Sequence, residues 1–384
     1  MAIRNIISLI FSFTKGIKKI YNNSSKSLLF IIFDFLKLNR QKGITTEEYF
    51  QFEFESQDDE FRNSFLGIHE QRYYLDYLNP TKYYILARNK YITHKILDKT
   101  GVRKPVLFCY YHPEGSVLQS DEIGNDLQSV IRILKEKSVS KCVVKTTESS
   151  SGKNVLVVYD ITFKENDAIL HLFDGSEIKL SDFLTSTPLV FEELIEQTEQ
   201  IASLNESSVN TLRFMTTLYP DGEAKIIGIF FKIGRSGKCV DNAGIGGNVD
   251  TCVDIETGTV KFPIQFDGWR KIKDITHHPD SGILIDGMVI DNWKSIKSQV
   301  KDFQKSFPFI KAAGWDIAIT DEGPVVIEVN DMWDRTGQYF IRKGWRNEIR
   351  DCYFAWKETG AKYNSGRLSS KISKSKLNKI VNRS

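Results

Sequence analysis

Along the chain the apolar and polar positions fall into two regimes. Residues 1–80 are helix-like, rich in Phe, Tyr, Lys and Glu, with Gly43 and Pro80 as their clearest punctuation. From Lys82 the pattern turns mixed: a helix is expected over residues 90–100, stopped at Gly101, with β-type runs at 105–111 and 141–145. A polar stretch of small residues at 146–153 separates the second of these runs from a valine-rich one at 155–159, which reads as strand, flexible loop and strand. Further strands are expected at 212–218, 224–232, 315–320 and 325–330. Strands and helices alternate, so the fold class is α/β or α+β.

Length and composition refine this picture. At 384 residues the chain exceeds the usual size of one domain. We expect a helical N-terminal region over 1–80, a first α+β lobe over 81–197, a second over 198–350 and a basic tail over 351–384. Hydrophobic residues at 41% and aromatics at 12% suffice for a substantial core. Lys and Arg number 52 against 49 Asp and Glu, a net charge of +3 that removes any whole-molecule argument for a nucleic-acid partner. Residues 361–384 hold seven Lys and Arg and no acid; a solvated tail explains them, with a lipid or nucleic-acid contact as the alternative.

Cysteines and terminal segments bear on location. Cys109, Cys142, Cys239, Cys252 and Cys352 lie far apart, with no CxxC pair and no nearby His to complete a zinc site, which fits a reducing, cytoplasmic setting. The apolar runs at 6–13 and 28–36 fall short of the roughly 20 residues that span a bilayer, so no transmembrane helix is expected. The first run is followed by Thr14-Lys15-Gly16-Ile17-Lys18-Lys19, which has no small-residue cleavage site. Lysines mixed with Ile, Leu and Phe suit a helix packed on the body, or one lying on an anionic membrane surface. Peripheral contact at the inner face of the membrane, through this region or the basic tail, is therefore part of the expectation.

The sharpest chemical text is residues 314–330, two short strands around a turn containing Gly323-Pro324. Alternate side chains of a strand share a face, so Glu328 and Asn330 are expected to point one way while Val325, Ile327 and Val329 point into the core. With the loop placed at 320–324, Ile319 pairs with Val325 and Asp316 falls opposite Glu328. Two carboxylates and an amide oxygen suit Mg²⁺, a hard cation that accepts oxygen ligands at about 2.1 Å. The wet face of an ordinary hairpin would show the same residue types.

At this point the sequence resembles the ATP-grasp superfamily, whose closing metal motif is an Asp on one strand followed by Glu-x-Asn on the next. More narrowly it is similar to the sugar-transfer-associated branch related to alpha-L-glutamate ligases, found near genes for surface polysaccharides. The resemblance spans about residues 82–339 and is specific as an ordered set of blocks. It implies two α+β lobes clasping ATP, with Mg²⁺, for which Mn²⁺ could substitute, held by Asp316, Glu328 and Asn330. It implies that Lys145, at a strand end before the small-residue loop, binds ATP, that Lys90 is an earlier lysine on the α-phosphate, and that 146–153, with Ser150, Ser151 and Gly152, form a flap. Phe191-Glu192-Glu193-Leu194-Ile195-Glu196-Gln197 resembles the hinge that reads adenine through its backbone and holds ribose through an acid, which makes Glu192, Glu193, Leu194, Ile195 and Glu196 nucleotide-binding candidates.

Asn210-Thr211-Leu212-Arg213 resembles the family's arginine strand. Lys232-Ile233-Gly234-Arg235, with Asp241-Asn242 and Gly246-Gly247 following, resembles a glycine-rich block near the phosphates. A lysine is a compact point charge suited to phosphate oxygens, while the planar fork of arginine suits a transferring phosphoryl group, so Arg213 and Arg235 are the catalytic candidates. His277-His278-Pro279-Asp280 resembles a further block of the branch, although a histidine pair more often caps a loop.

Other nucleotide motifs are missing from the sequence. Ser151-Gly152-Lys153-Asn154 lacks the leading Gly and the Ser or Thr of a P-loop, no GxGxxG opens a helix, and nothing reads as a Ser-His-Asp elbow. The resemblance implies ATP-dependent ligation of a carboxylate to an amine (or a thiol) through an acyl-phosphate, on small-molecule, glycan or peptide substrates. Two alternatives use the same cleft differently: a kinase acting on a hydroxyl, and a non-catalytic ATP-binding module at a membrane assembly.

Overall fold

Local capping chemistry sets the start of the chain's helices. In the computed structural model, which describes residues 16–17, 26–114, 121–148, 155–238, 247–269, 271–361, 377 and 380–381, helix α1 (Leu28–Lys42) begins where the Ser27 side chain accepts from Phe30 N and ends at Gly43, whose φ of 70° needs a residue without a Cβ. Helix α2 (Thr46–Gln51) opens on a capping box between Thr45 and Glu48, and α3 (Asp59–Ser64) on Asp58. Next come α4 (Ile68–Leu78), α5 (Tyr84–Arg88) and α6 (Lys90–Leu97), the last capped by the Asn89 side chain. The helix expected over 90–100 thus ends three residues early, in turns leading to Gly101 at φ 71°.

Two seven-stranded sheets follow. The first is built from β1 (Leu107–Tyr111), β2 (Ile123–Gly124), β3 (Cys142–Thr146), β4 (Val155–Phe163), β5 (Ala168–Leu172), β6 (Glu177–Lys179) and β7 (Leu189–Glu192), in the order β2-β1-β7-β3-β4-β5-β6. Helix α7 (Leu127–Glu136) packs Val130, Ile131, Ile133 and Leu134 into its core, and the short α8 (Leu180–Phe183) and α9 (Glu199–Ala202) flank the crossing to the second sheet. That sheet comprises β8 (Thr211–Leu218), β9 (Ala224–Ile233), β10 (Val249–Val253), β11 (Val260–Phe266), β12 (Lys271–Asp274), β13 (Ala312–Thr320) and β14 (Gly323–Asn330), in the order β12-β11-β10-β9-β8-β13-β14. Three helices complete the chain: α10 (Trp293–Ser306), α11 (Thr336–Phe340) and α12 (Arg346–Glu358). The class is α+β.

The second sheet is a middle layer. On one face α10 contributes Ile296, Val300 and Phe303 to a core shared with Phe214, Phe231 and Trp315. On the other, Met215, Ile227 and Phe230 meet the N-terminal helices together with Trp333, Tyr339, Trp345 and Tyr353. Burial on both faces explains why β9 reads as a nearly unbroken apolar run instead of alternating. Residues from α1–α4 and from α12 therefore share one hydrophobic core. Asn79 closes the joint: its amide donates to the carbonyls of Ala312 and Asp331 and accepts from Ala312 N.

Gly344 marks how closely these parts approach, since a Cβ there would lie 1.9 Å from the Ser64 carbonyl oxygen. Backbone leaves no room to yield as a side-chain tip would. Gly344→Ala is expected to lower stability by about 2 kcal/mol, the usual scale for overpacking, as read from urea unfolding.

Candidate functional site

The hairpin β13–β14 carries the central acids. A two-residue turn at Asp321-Glu322 pairs Thr320 with Gly323 and Ile319 with Pro324, one step from the expected pairing of Ile319 with Val325. Gly323, at φ 114°, permits that tight turn. A bulge between Asp316 and Ile317 then absorbs the one-residue offset, so Asp316 still pairs with Glu328. The bulge also changes what faces where: Val326 and Val329 enter the core, whereas Ile327, expected inside, lines the cleft beside Glu328.

Across the sheet, Arg213 of β8 pairs with Asp316, giving a row Arg213, Asp316, Glu328 over three neighbouring strands. The Arg213 guanidinium grips Asp316 with two hydrogen bonds of 2.6 Å, and Lys232 Nζ of β9 reaches the same carboxylate at 3.0 Å. Burial alone would raise the Asp316 carboxyl; Arg213 and Lys232 outweigh it and hold it well below the usual range. Glu328 is the opposite case. Burial, then the Asp316 charge, push it up, and it has no hydrogen bond or ion pair among the described residues. Lys90, Arg213 and Lys145 offset this only in part, and a half-buried carboxylate without a hydrogen bond beside a second carboxylate suits a divalent cation. Asn330 Nδ2 donates to Gly314 O at 3.3 Å, which turns its Oδ1 into the atom on offer. Glu328, Asp316 and Asn330 together are an all-oxygen donor set fitted to Mg²⁺.

Lys232, Asp316 and Glu328 line a cleft of about 410 Å³ between the two sheets, whereas Arg213 and Asn330 stand behind them and are not among its lining residues. From the first sheet, Val143 and Lys145 of β3 and Val155, Val157 and Tyr159 of β4 face it, their neighbours Val144, Leu156 and Val158 packing into the core. From the second come Lys232, Asp316, Ile327 and Glu328, and the chain between the sheets supplies Glu193, Leu194, Ile195, Glu196 and Gln197. The cleft is mixed in character, lined by aliphatic and aromatic side chains such as Val157, Tyr159, Leu194 and Ile327 together with lysines and carboxylates.

Lys145 and Lys90 both line the cleft. Lys90 stands in the first turn of α6, and burial lowers its ammonium, opposed in part by Glu328. Lys145 is held by the buried Glu192 at 2.7 Å, and the other Glu192 oxygen lies 2.8 Å from His94 Nε2. Burial would raise the Glu192 carboxyl, but Lys145 first and His94 after it keep it strongly depressed. Glu192 thus turns inward as the anchor of a lysine, whereas Glu193 and its successors face the cleft. Glu193 also accepts from Val106 N, and Glu196 pairs with Lys141 at the rim.

Arg235 lies elsewhere. Its guanidinium forms two bonds to Asp280, at 2.7 and 2.6 Å, and donates to Gly247 O, and it is not among the residues lining the cleft. Arg235 holds the Asp280 carboxyl down at about 2. His278, buried, contacts Gly234 O at 2.9 Å and receives the backbone N–H groups of Asp280 and Ser281, a loop cap. Of the block at 232–235 it is Lys232 that reaches the acids. Its signal was available: on antiparallel strands Thr211 pairs with Lys232, so Lys232 shares a face with Arg213. His94 had no such local signal. Ser150, Ser151, Gly152, Asp241, Asn242 and Gly246, together with most of the N-terminal 25 residues and of the basic tail, lie outside the described residues.

Two seven-stranded sheets meet at a cleft lined by lysines, paired acids and aliphatic side chains, a two-lobed α+β architecture. A sequence profile described as sugar-transfer associated ATP-grasp matches residues 69–351, and the chain belongs to that family. No curated protein matches it. Among solved structures it is similar to N5-carboxyaminoimidazole ribonucleotide synthetase from Thermotoga maritima, at 12% identity and a TM-score of 0.40 over 76% of this chain and 54% of that one. It is likewise similar to D-alanine–D-alanine ligase from Bacillus anthracis complexed with ATP, at 14% identity and a TM-score of 0.38 over 72% and 69%. The chain spans about half the length of the synthetases it matches. Among the described residues no helix is long and apolar enough to cross a membrane.

Proposed function

We propose that this chain is an ATP-dependent ligase that joins a carboxylate to an amine through an acyl-phosphate. One observation carries the reading: the half-buried Glu328, without a hydrogen bond among the described residues and opposite Asp316, in a cleft that Lys90, Lys145 and Lys232 line together with aliphatic side chains. Such a cleft matches a purine against its aliphatic side chains and a triphosphate with its cation against its charged ones. Membership of the ATP-grasp family supports the same assignment.

In this reading the backbone at Glu193, Leu194 and Ile195 takes the adenine edge, between the side chains of Val157 and Ile327. Lys90 and Lys145 bind phosphate oxygens. Asp316, Glu328 and Asn330 would hold Mg²⁺, which supplies charge neutralisation at the terminal phosphates. A substrate carboxylate oxygen attacks the γ-phosphorus and ADP leaves; the amine then attacks the acyl carbon, phosphate departs and the amine gives up a proton. Arg213, behind the cleft wall and bonded to Asp316, orients that carboxylate and adds positive charge to the phosphate end. The family description suits an acid or amine carried on a sugar-containing acceptor.

A screen of ADP release from candidate acids, each paired with amino acids or amino sugars, tests this function. Repeating it with hydroxylamine as the amine must yield a hydroxamate, because an acyl-phosphate is trapped by it and a phosphorylated hydroxyl is not. ATP turnover with no hydroxamate from any acid would replace the ligase with a kinase, and ATP binding without ADP release would leave only a nucleotide-binding module.

The inward-facing Glu192 provides a separate check. Glu192→Gln keeps the shape but removes the charge that fixes Lys145, so the ATP dissociation constant measured by calorimetry is expected to rise by about tenfold. A ribose-holding role would instead make the loss specific to nucleosides with an intact ribose, with 2′,3′-dideoxy-ATP unaffected by the substitution.

A further inference from the structure

Helix α1 has two apolar faces and needs only one of them for folding. Ile31, Phe35 and Leu38 are buried in the core shared with the second sheet. On the opposite side Leu29 is 67% exposed, Phe33 69% and Leu36 49%, at the i, i+4, i+7 spacing of a single stripe, with Phe30 and Leu28 at its edge. A stripe of large apolar side chains in water is a cost that a partner must offset.

The charges around this stripe name the partner. Lys26, over the Phe30 ring, and Lys37 and Arg40 are the charged residues exposed along it, and the helix's one acid, Asp34, is turned inward to Arg62 and Tyr49. Residues 1–42 as a whole hold eight Lys and Arg against that single acid, in a protein whose total charges nearly cancel. Apolar side chains flanked by cations, with no exposed acid, match a sheet of anionic headgroups over hydrocarbon and not the mixed surface of a typical protein.

We propose that α1 docks on an anionic lipid surface, with Leu29, Phe33 and Leu36 entering the headgroup boundary and Lys26, Lys37 and Arg40 meeting the phosphates. The helix lies in the plane of the membrane. At 15 residues and amphipathic on its polar edges it is an interfacial element and not a span. The inference is independent of the ligase reading, because none of the residues it uses lines the cleft.

The test is co-sedimentation of the full chain with vesicles of phosphatidylcholine alone and with phosphatidylglycerol added. Binding is expected only to the anionic vesicles and to weaken as salt is raised, since exposed charges are screened within about 10 Å at 0.1 M. Leu29→Asp/Phe33→Asp is expected to cut binding at least about tenfold while leaving the thermal midpoint near that of the wild type, because neither side chain contributes to the core. Lys37→Glu/Arg40→Glu, which keeps the apolar stripe, should lose the preference for anionic lipid. Failure of the wild type to bind anionic vesicles overturns the proposal, as does binding that both variants retain. A concentration-dependent dimer that Leu29→Asp/Phe33→Asp dissolves, with no vesicle binding, would assign the stripe to a second copy instead.

Discussion

Glu328→Gln is expected to reduce substrate-dependent ADP release by about a hundredfold to a thousandfold, the scale of losing a metal-held charge at a transferring phosphoryl group. The same substitution should not weaken the fold. Burial first, and Asp316 after it, raise the Glu328 carboxyl above its ordinary 4.5, so its protonated form is the one the folded state favours. Its contribution to stability is then complete below pH 4.5 and is lost as the pH rises through the folded value. Glutamine resembles the protonated form at every pH, so the variant should unfold at the same or a higher temperature than the wild type at pH 8. Added Mg²⁺ should raise the wild-type midpoint and leave the variant's unchanged. Full activity in Glu328→Gln, or a magnesium response that survives it, would remove the metal role from this hairpin.

Arg213→Met carries the second large effect, on stability. It strips Asp316 of its bidentate partner and leaves a buried carboxylate facing Glu328 with Lys232 alone to balance it. Breaking such a pair from one side costs about 3 kcal/mol, measured as the shift in urea unfolding free energy at pH 7. Adding Asp316→Asn to Arg213→Met should recover much of that loss, because the stranded charge disappears with its partner. The pH dependence has a definite sign. Asp316 and Glu192 are both held below their ordinary values of 3.8 and 4.5, so the stability they confer is present above those values and lost as the pH falls through their folded ones. Arg213→Met should flatten the acid limb of the stability profile. An unchanged limb would mean that the Arg213 pair contributes nothing in solution.

Much of this site was legible before any coordinates. The pairing of Asp316 with Glu328 follows from period-two alternation on two short strands joined at a Gly-Pro turn, and it holds although the turn is tighter than expected, since the bulge offsets the difference. Lys145 could be placed at a strand end because a valine run stops there and small polar residues begin. The strands missed entirely include β5, β6 and β10–β12: β6 and β12 are short and largely exposed, while β10 and β11 carry Asp250, Lys261, Pro263 and Gln265 within buried runs, which breaks both alternation and apolar continuity.

What the chain's text determined alone is therefore local: strand periodicity, the lysine before the small-residue loop, and the acids facing each other across one hairpin. Tertiary structure decided which side chains meet across long separations. Glu192, one of the nucleotide-binding candidates of the hinge, turned instead to Lys145 and His94, the latter 98 residues away. Arg235 was drawn to Asp280, leaving Lys232 to reach Asp316, and the first helices joined the same core as the last. The reason is physical: a charge settles with whichever counter-charge the packed sheets bring into reach once water is excluded, and periodicity along the chain carries no record of that partner.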